Sequence, residues 1–183
     1  ASSAVYSAYW LMKLFEEAGL PKGVINFVPG SGGQVGTPAM TNPNLAGVHF
    51  TGSTEVFQNM WKTISDNLKN MKYYPRIVGE TGGKDFIFAH SSADVDALVV
   101  AALRGAFEYQ GQKCSAASRA YIPSSLWPDV RKQMENMVKG IKMGPTEDFS
   151  NFFNAVIDET SFDLLAGYID RAKKDKDAEV IIG

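Results

Sequence analysis

The feature that most constrains the fold is an alternation of short apolar runs with longer amphipathic segments. AGVHFTG, RIVGE and DFIFA have the length and composition of buried strands, and helix-forming segments follow the first and the third. Strands joined through helices usually run parallel in one sheet. The alternation therefore predicts the α/β class, with a parallel sheet and crossover helices.

The remaining segments extend this pattern along the chain. Further strands are expected at VINFV, RAYIP and EVII. A change of register after Glu80 predicts a domain boundary within 79–83. Ser92 or Asp94 is the expected N-cap of the helix that follows. Helices are expected at about 3–18, 34–40, 54–69, 93–109, 126–139 and 161–174.

Composition excludes several classes of function. With 18 basic and 20 acidic residues the formal charge is -2, so nothing favours a nucleic acid or a membrane surface as partner. One cysteine cannot form an internal disulfide, and two histidines provide no metal-ligand spacing. The first residues, ASSAVYSAYW, do not resemble a signal or transit peptide, and we expect a fragment of a longer protein.

Two glycine-containing turns follow predicted strands in the first half. PGSGGQVG comes after VINFV, and HFTGST ends a strand before a helix opens at Ser53 and Thr54. Glycines let backbone amides approach a phosphate, and the first amides of a helix can bind one. Taken alone, the first stretch favours a tight turn, because it does not match GxGxxG, and the second favours an ordinary N-cap.

VGETGGKDF places a carboxylate at the end of an apolar strand. Gly82 and Gly83 follow Glu80 closely and keep side chains away from the space around it. A carboxylate partly shielded from water in this way suits a general base. The alternative is a structural ion pair, with Lys84 as the candidate partner.

The single cysteine, Cys114, lies in FEYQGQKCSAASR. A lone cysteine is most often a small buried apolar residue. Here the neighbours Gly111, Gln112, Lys113 and Ser115 are small or polar, which favours an accessible nucleophilic thiol.

Taken together and in order, three of these segments resemble motifs of the aldehyde dehydrogenase superfamily. FTGS resembles its nucleotide-binding turn, ETGGK the segment that carries a general-base glutamate, and GQKCSA the segment that carries the nucleophile. Glu80 and Cys114 are 34 positions apart, which is the interval expected of the family. The resemblance covers essentially the whole chain. It implies part of a Rossmann-type cofactor domain, 1–80, followed by part of an α/β catalytic domain, 81–183.

The resemblance also implies roles for individual residues. Cys114 would attack an aldehyde, NAD would be the cofactor, and Glu80 would activate the water that releases the product. Ser115 is the candidate for substrate contact, with a local hydroxyl-to-backbone bond as its alternative. No metal is implied. The candidate cofactor-binding residues are Gly52 and Ser53, followed by Pro29, Gly30, Phe50, Thr81 and Gly82.

Other segments depart from the common family pattern. Phe57 stands where the GSTEVG box usually ends in glycine. From that motif, the cofactor-binding role is therefore assigned only to Gly52 and Ser53. NMWKTISDNLKNMKYYPR is longer than usual. With FEYQGQKCSAASR and EDFSNFFNAVID, these segments resemble the branch that oxidises L-glutamate γ-semialdehyde to L-glutamate in proline breakdown. The resemblance further implies a homo-oligomeric parent, located in the cytoplasm or, in a eukaryote, in the mitochondrial matrix.

Three alternatives remain open from the sequence. The aldehyde could be a different one, or the enzyme could be a reductase that releases its thioester to another acceptor and leaves Glu80 idle. The chain could also be a non-catalytic module. It contains neither a KPSE-like nor an ExFGP segment, and Ser150 shows that Glu147 in EDF is not the second family glutamate. The resemblance therefore implies that the 183 residues alone are inactive.

Overall fold

The computed structural model describes residues 4–182. It divides into two compact units, Ala1–Thr81 and Gly82–Gly183. The predicted division at 1–80 and 81–183 lies within one residue of this point. The assignment of the first unit to cofactor binding and of the second to catalysis stays a prediction.

The first unit is built on one pair of parallel strands. β1 pairs with β2 so that Phe50 lies opposite Gly79 and Thr51 opposite Glu80. This confirms the two strands predicted at AGVHFTG and RIVGE. The elements of the unit are α1 (Val5–Glu17), α2 (Gly32–Met40), β1 (Gly47–Gly52), α3 (Thr54–Asp66) and β2 (Arg76–Thr81).

Helix α3 packs on this pair through aromatic side chains. Its N-cap is Ser53, whose hydroxyl accepts a hydrogen bond from the Val56 backbone N–H at 3.3 Å. The Phe57 ring stacks on Phe50, with centroids 6.1 Å apart, and meets Trp61 edge-on at 5.9 Å. These contacts cover one face of the β1–β2 pair.

The second unit is built on another parallel pair. β3 (Asp85–Phe88) pairs with β4 (Ala117–Tyr121), with an irregularity between Asp85 and Phe86. Asp94, one of the two predicted caps, accepts from the Ala97 N–H at 2.8 Å and opens the first helix. The helices of this unit are α4 (Val95–Phe107), α5 (Trp127–Lys139) and α6 (Glu159–Lys174).

The apolar core of the second unit lies between β3, α4 and α5. Val99 on α4 and Val130 on α5 are fully buried, at 0% exposure. Burying a valine side chain stabilises a fold by about 1.5–3 kcal/mol. No residue of α6 is buried among those that the structure describes. The stability of this unit is thus concentrated in α4 and α5.

Two predicted strands are wrong. VINFV and the described part of EVII form no strand, because neither run has a partner strand within residues 4–182. Val24 and Val28 accordingly remain 63% exposed each. The first helix begins at Val5, and the predicted start at Ser3 lies outside the described residues.

No helix in the described part of the chain is both long and apolar enough to cross a bilayer. Within the same residues no three histidine, cysteine, aspartate or glutamate side chains group as metal ligands would.

Candidate active site

The thiol-bearing segment begins with a left-handed stretch of backbone. After α4 ends at Phe107, Tyr109 and Gln110 adopt φ values of 54° and 56°, and Gly111 follows at 67°. A left-handed conformation costs a residue with a side chain roughly 1–2 kcal/mol. Only glycine fits the third position, since a Cβ on Gly111 would meet the Ala106 carbonyl oxygen at 2.9 Å. The segment before Cys114 is therefore strained.

Cys114 lies in a hydrogen-bonded turn directly after this stretch. The Ala116 N–H donates to the Lys113 carbonyl oxygen at 3.1 Å, so Cys114 and Ser115 occupy the two central positions. The thiol is exposed. Within the described residues the Ser115 hydroxyl makes no side-chain hydrogen bond, so the local bond considered for it is not seen. Its contact with a substrate stays a prediction.

The ammonium group of Lys113 is engaged by Glu108 and not left free beside the thiol. Lys113 Nζ lies 3.2 Å from Glu108 Oε2, and Arg104 approaches the other carboxylate oxygen at 3.4 Å. Because the side chains are about half exposed, these pairs contribute little to stability. Their effect is to tie the end of α4 to the residue before Cys114.

A close approach places Gly83 against the Cys114 turn. Parallel strands β3 and β4 begin side by side, so the residues just before them meet at the same end. A Cβ on Gly83 would lie 2.7 Å from Asp85 Oδ1 and 3.1 Å from the Cys114 carbonyl oxygen, whereas one on Gly82 would meet nothing within 4 Å. The second glycine of ETGGK thus lets this segment approach the backbone of Cys114 closely. Sequence reasoning placed both glycines around Glu80 and missed this contact.

Side-chain amides link the left-handed stretch to the loop before α6. Gln110 Nε2 donates to Asn154 Oδ1 at 2.7 Å. Gln112 Nε2 donates to Gln110 Oε1 at 3.0 Å, and Gln112 Oε1 accepts from the Ile157 backbone N–H at 3.0 Å. Asn154 and Ile157 were not identified from the sequence, because they lie more than 40 positions from their partners.

Glu80 lies near the end of β2, opposite Thr51 of β1. Its side chain is exposed, so the partial shielding from water expected for a general base is not seen here. It takes part in none of the ion pairs formed within residues 4–182. Its position relative to the thiol and its role as a base stay predictions.

Serine caps the N-termini of two helices in the first unit. Ser31 caps α2 and Ser53 caps α3 through the same type of bond, to Gln34 N–H and Val56 N–H. The Ser53 hydroxyl accepts with its oxygen and keeps its proton for donation, whereas the Ser31 hydroxyl already donates to Gln34 Oε1 at 3.0 Å. Together with the unpaired first amides of a helix, these groups fit the phosphates of a dinucleotide.

The other candidate cofactor residues occupy less specific positions. Glycine is needed at position 52 for packing alone, since a Cβ there would lie 2.4 Å from the Phe50 ring. Pro29 and Gly30 line a groove of about 920 Å³ beside α1. Thr81 ends β2 and is half-buried. Their contact with a cofactor stays a prediction.

A wide groove of the second unit lies along α6. It measures about 1290 Å³ between α6 and the loop that precedes it, and Cys114 is not among its lining residues. Phe162, Leu165 and Ile169 of α6 give it an apolar wall. The thiol therefore does not open into this groove.

The chain is similar to known proteins over its whole length. The sequence profile of the aldehyde dehydrogenase family matches residues 1–183. The mitochondrial delta-1-pyrroline-5-carboxylate dehydrogenase of Dictyostelium discoideum is 56% identical over 185 residues, which cover 100% of this chain and 33% of that protein. The chain thus spans about a third of the length of the curated relatives it matches.

Solved structures agree over nearly the whole chain. The delta-pyrroline-5-carboxylate dehydrogenase of Mycobacterium tuberculosis, bound with NAD and cobalamin, is 46% identical with a TM-score of 0.92, covering 96% of this chain and 33% of that one. Proline utilization A of Bdellovibrio bacteriovorus is 31% identical with a TM-score of 0.92, covering 96% of this chain and 18% of its own. A family match over every residue shows that the chain belongs to the aldehyde dehydrogenase family.

Proposed function

We propose that the protein containing this chain oxidises L-glutamate γ-semialdehyde, the open form of 1-pyrroline-5-carboxylate, to L-glutamate with NAD. The observation that carries the proposal is the exposed Cys114 at the centre of a turn, held by a strained stretch and by Gly83. The names of the relatives support this substrate, and the NAD bound to one of them supports this cofactor.

Cys114 is the proposed nucleophile. Its Sγ, once deprotonated, adds to the aldehyde carbon and forms a hemithioacetal. The Cys114 backbone N–H stabilises the resulting oxyanion, since it has no acceptor among the described residues. NAD, when bound, accepts the hydride that leaves this carbon. The thiol then carries a thioester, and Ser115 contacts the amino acid end of the substrate.

Glu80 is the proposed base for the second half of the reaction. Its carboxylate takes a proton from water, the hydroxide adds to the thioester carbon, and the Cys114 thiolate leaves. The place of Glu80 in ETGGK, which resembles the segment that carries the family's general-base glutamate, supports this role.

The first unit is proposed to hold the cofactor. Ser53 and the first amides of α3 would bind a phosphate, with Ser31 and α2 as a second such group. The parent is proposed to be a homo-oligomer in the cytoplasm, or in the mitochondrial matrix of a eukaryote. The activity belongs to the longer protein, and the 183 residues alone are expected to be inactive.

A rapid-mixing assay of the full-length protein tests the proposal. Wild type should form NADH continuously with the semialdehyde, and Cys114→Ala should form none. Glu80→Gln should give a first burst of at most one NADH per site and then stall, with kcat reduced about 10²- to 10⁴-fold. Intact-mass analysis of the stalled variant should show a glutamyl thioester on Cys114.

Two results would contradict the scheme. Steady turnover by Glu80→Gln would mean that another group, or another acceptor, releases the thioester, as in a reductase. A higher kcat/KM for an unrelated aldehyde such as propanal than for the semialdehyde would reject the proposed substrate.

A further inference from the structure

We infer that Asn154 is a positioning residue for Cys114, acting through a directional chain of side-chain amides. The chain runs from the Ile157 N–H through Gln112 and Gln110 to Asn154. It rests on the proposed function only in taking Cys114 as the nucleophile. The side chain of Asn154 is bonded to Gln110, four residues before Cys114, so its influence on the thiol would be transmitted through the backbone.

The direction of every bond in this chain follows from its first donor. A backbone N–H can only donate, so the Ile157 N–H requires an oxygen, Gln112 Oε1, as its partner. The Gln112 amide nitrogen must then face Gln110 Oε1, and the Gln110 nitrogen must face an acceptor on Asn154. Residue 154 therefore has to supply an oxygen and not a donor.

The chain of amide hydrogen bonds holds the left-handed stretch before Cys114, which has little packing of its own. Tyr109 and Gln110 hold left-handed backbone angles, yet Tyr109 is 61% exposed and gains little from packing. Gln110 and Gln112 flank Gly111, and their side chains are bound to the loop before α6. Cys114 follows only two residues after Gln112. Loss of the anchor at Asn154 should let the stretch relax and move the thiol.

Two substitutions at the same position separate acceptor chemistry from size. Asn154→Asp keeps an oxygen toward Gln110 and should preserve the chain. Asn154→Leu keeps a similar size but removes the acceptor, and should break it. Gln112→Glu should also break the chain, because its second carboxylate oxygen would face the Tyr109 carbonyl oxygen, which accepts from Gln112 Nε2 at 3.3 Å and cannot become a donor.

Asn151 provides a matched control in the same loop. It is half-buried like Asn154, and its amide donates to the Pro145 carbonyl oxygen at 2.9 Å, within the loop itself. Asn151→Leu therefore removes an equivalent side-chain hydrogen bond without touching the left-handed stretch.

The experiment measures two rates in the full-length protein. One is the alkylation of Cys114 by iodoacetamide, followed by mass spectrometry, in which the thiolate displaces iodide and no aldehyde is needed. The other is kcat with the semialdehyde, alongside KM for NAD. Asn154→Leu should lower kcat on the order of 10- to 100-fold and change the alkylation rate, with KM for NAD unchanged. Asn154→Asp and Asn151→Leu should match wild type in both.

The outcomes are distinct. Wild-type rates in Asn154→Leu, or equal losses in Asn154→Leu and Asn151→Leu, would overturn the inference. If Asn154→Leu does not fold, Gln112→Glu takes its place, and wild-type alkylation in that variant would overturn it. If wild type alkylates as expected but oxidises no semialdehyde, the proposed function fails while the positioning role is still tested.

Discussion

The ring of Phe57 on α3 lies so close to Gly79 on β2 that a Cβ built there would come within 2.4 Å of ring atom Cζ. The same ring stacks on Phe50, which pairs with Gly79 across the two strands. The phenylalanine that replaces the family's usual glycine is therefore accommodated by a glycine on the neighbouring strand.

Gly79→Ala should destabilise the first unit by about 1–3 kcal/mol, because the added methyl overlaps the Phe57 ring. Combined with Phe57→Ala, the same substitution should cost much less, giving a coupling free energy of roughly 1 kcal/mol or more. Urea denaturation of the four proteins of the cycle measures it. Strict additivity would show that the two positions do not interact.

Gly83→Ala should disturb Cys114, since the new Cβ would be 3.1 Å from its carbonyl oxygen as well as 2.7 Å from Asp85 Oδ1. We expect the iodoacetamide alkylation rate of Cys114 to change several-fold, within the range that misplacement of about 1 Å can produce. Gly82→Ala, which adds its methyl to open space, is the matched control for alkylation. Identical alkylation rates in both variants would mean that the Gly83 contact does not hold the turn.

Val99→Ala should destabilise the second unit by about 1.5–3 kcal/mol, since the side chain is fully buried against α5. Its neighbour Val100 is 42% exposed. Val100→Ala should therefore change stability by less than about 0.5 kcal/mol. The denaturation midpoints of the two variants measure this difference. Equal shifts would mean that the face of α4 that carries Val99 is not its buried face.

The N-terminus of α6 should become less stable in acid. The Ser161 backbone N–H donates to Asp158 Oδ1 at 2.8 Å and, with the Ser161 hydroxyl, holds the pKa of Asp158 below its ordinary value. A lowered folded-state pKa means that the contribution is complete above the unfolded pKa of about 3.9 and is lost as pH falls through the folded value. Peptide-resolved hydrogen exchange over Glu159–Lys174 should show this loss.

Two variants check the assignment to Asp158. Asp158→Asn keeps an acceptor without a titrating group, so the acid-dependent loss should disappear. Asp163→Ala, on the same helix but away from the cap, should leave it unchanged. An unaltered acid transition in Asp158→Asn would mean that another carboxylate controls the helix.

Local patterns were sufficient to predict most of the fold. β1, β2, β3 and β4 follow apolar runs, and α3 and α4 begin after the capping residues Ser53 and Asp94. VINFV and EVII have the same composition but form no strand in the described part of the chain. Composition gives a segment its preference, whereas a strand also needs a partner for its backbone groups.

The site could be predicted only where chemistry is local in sequence. Cys114 stands out because its immediate neighbours are small and polar. The supporting contacts of Gly83 and Asn154 come from residues 31 and 40 positions away from Cys114, and each depends on how the strands and the loop are placed. No pattern within a short window carries that information.

The uneven distribution of buried residues has a consequence for hydrogen exchange and for the order of unfolding. Leu98, Val99 and Leu103 make α4 the most deeply protected helix, while α6 contributes no buried residue among those described. The loop that carries Asn154 should therefore open in fluctuations far smaller than global unfolding. Each such opening would release the left-handed stretch while α4 and α5 stay folded. On heating, the native reactivity of the thiol would therefore be lost at a lower temperature than the folded structure.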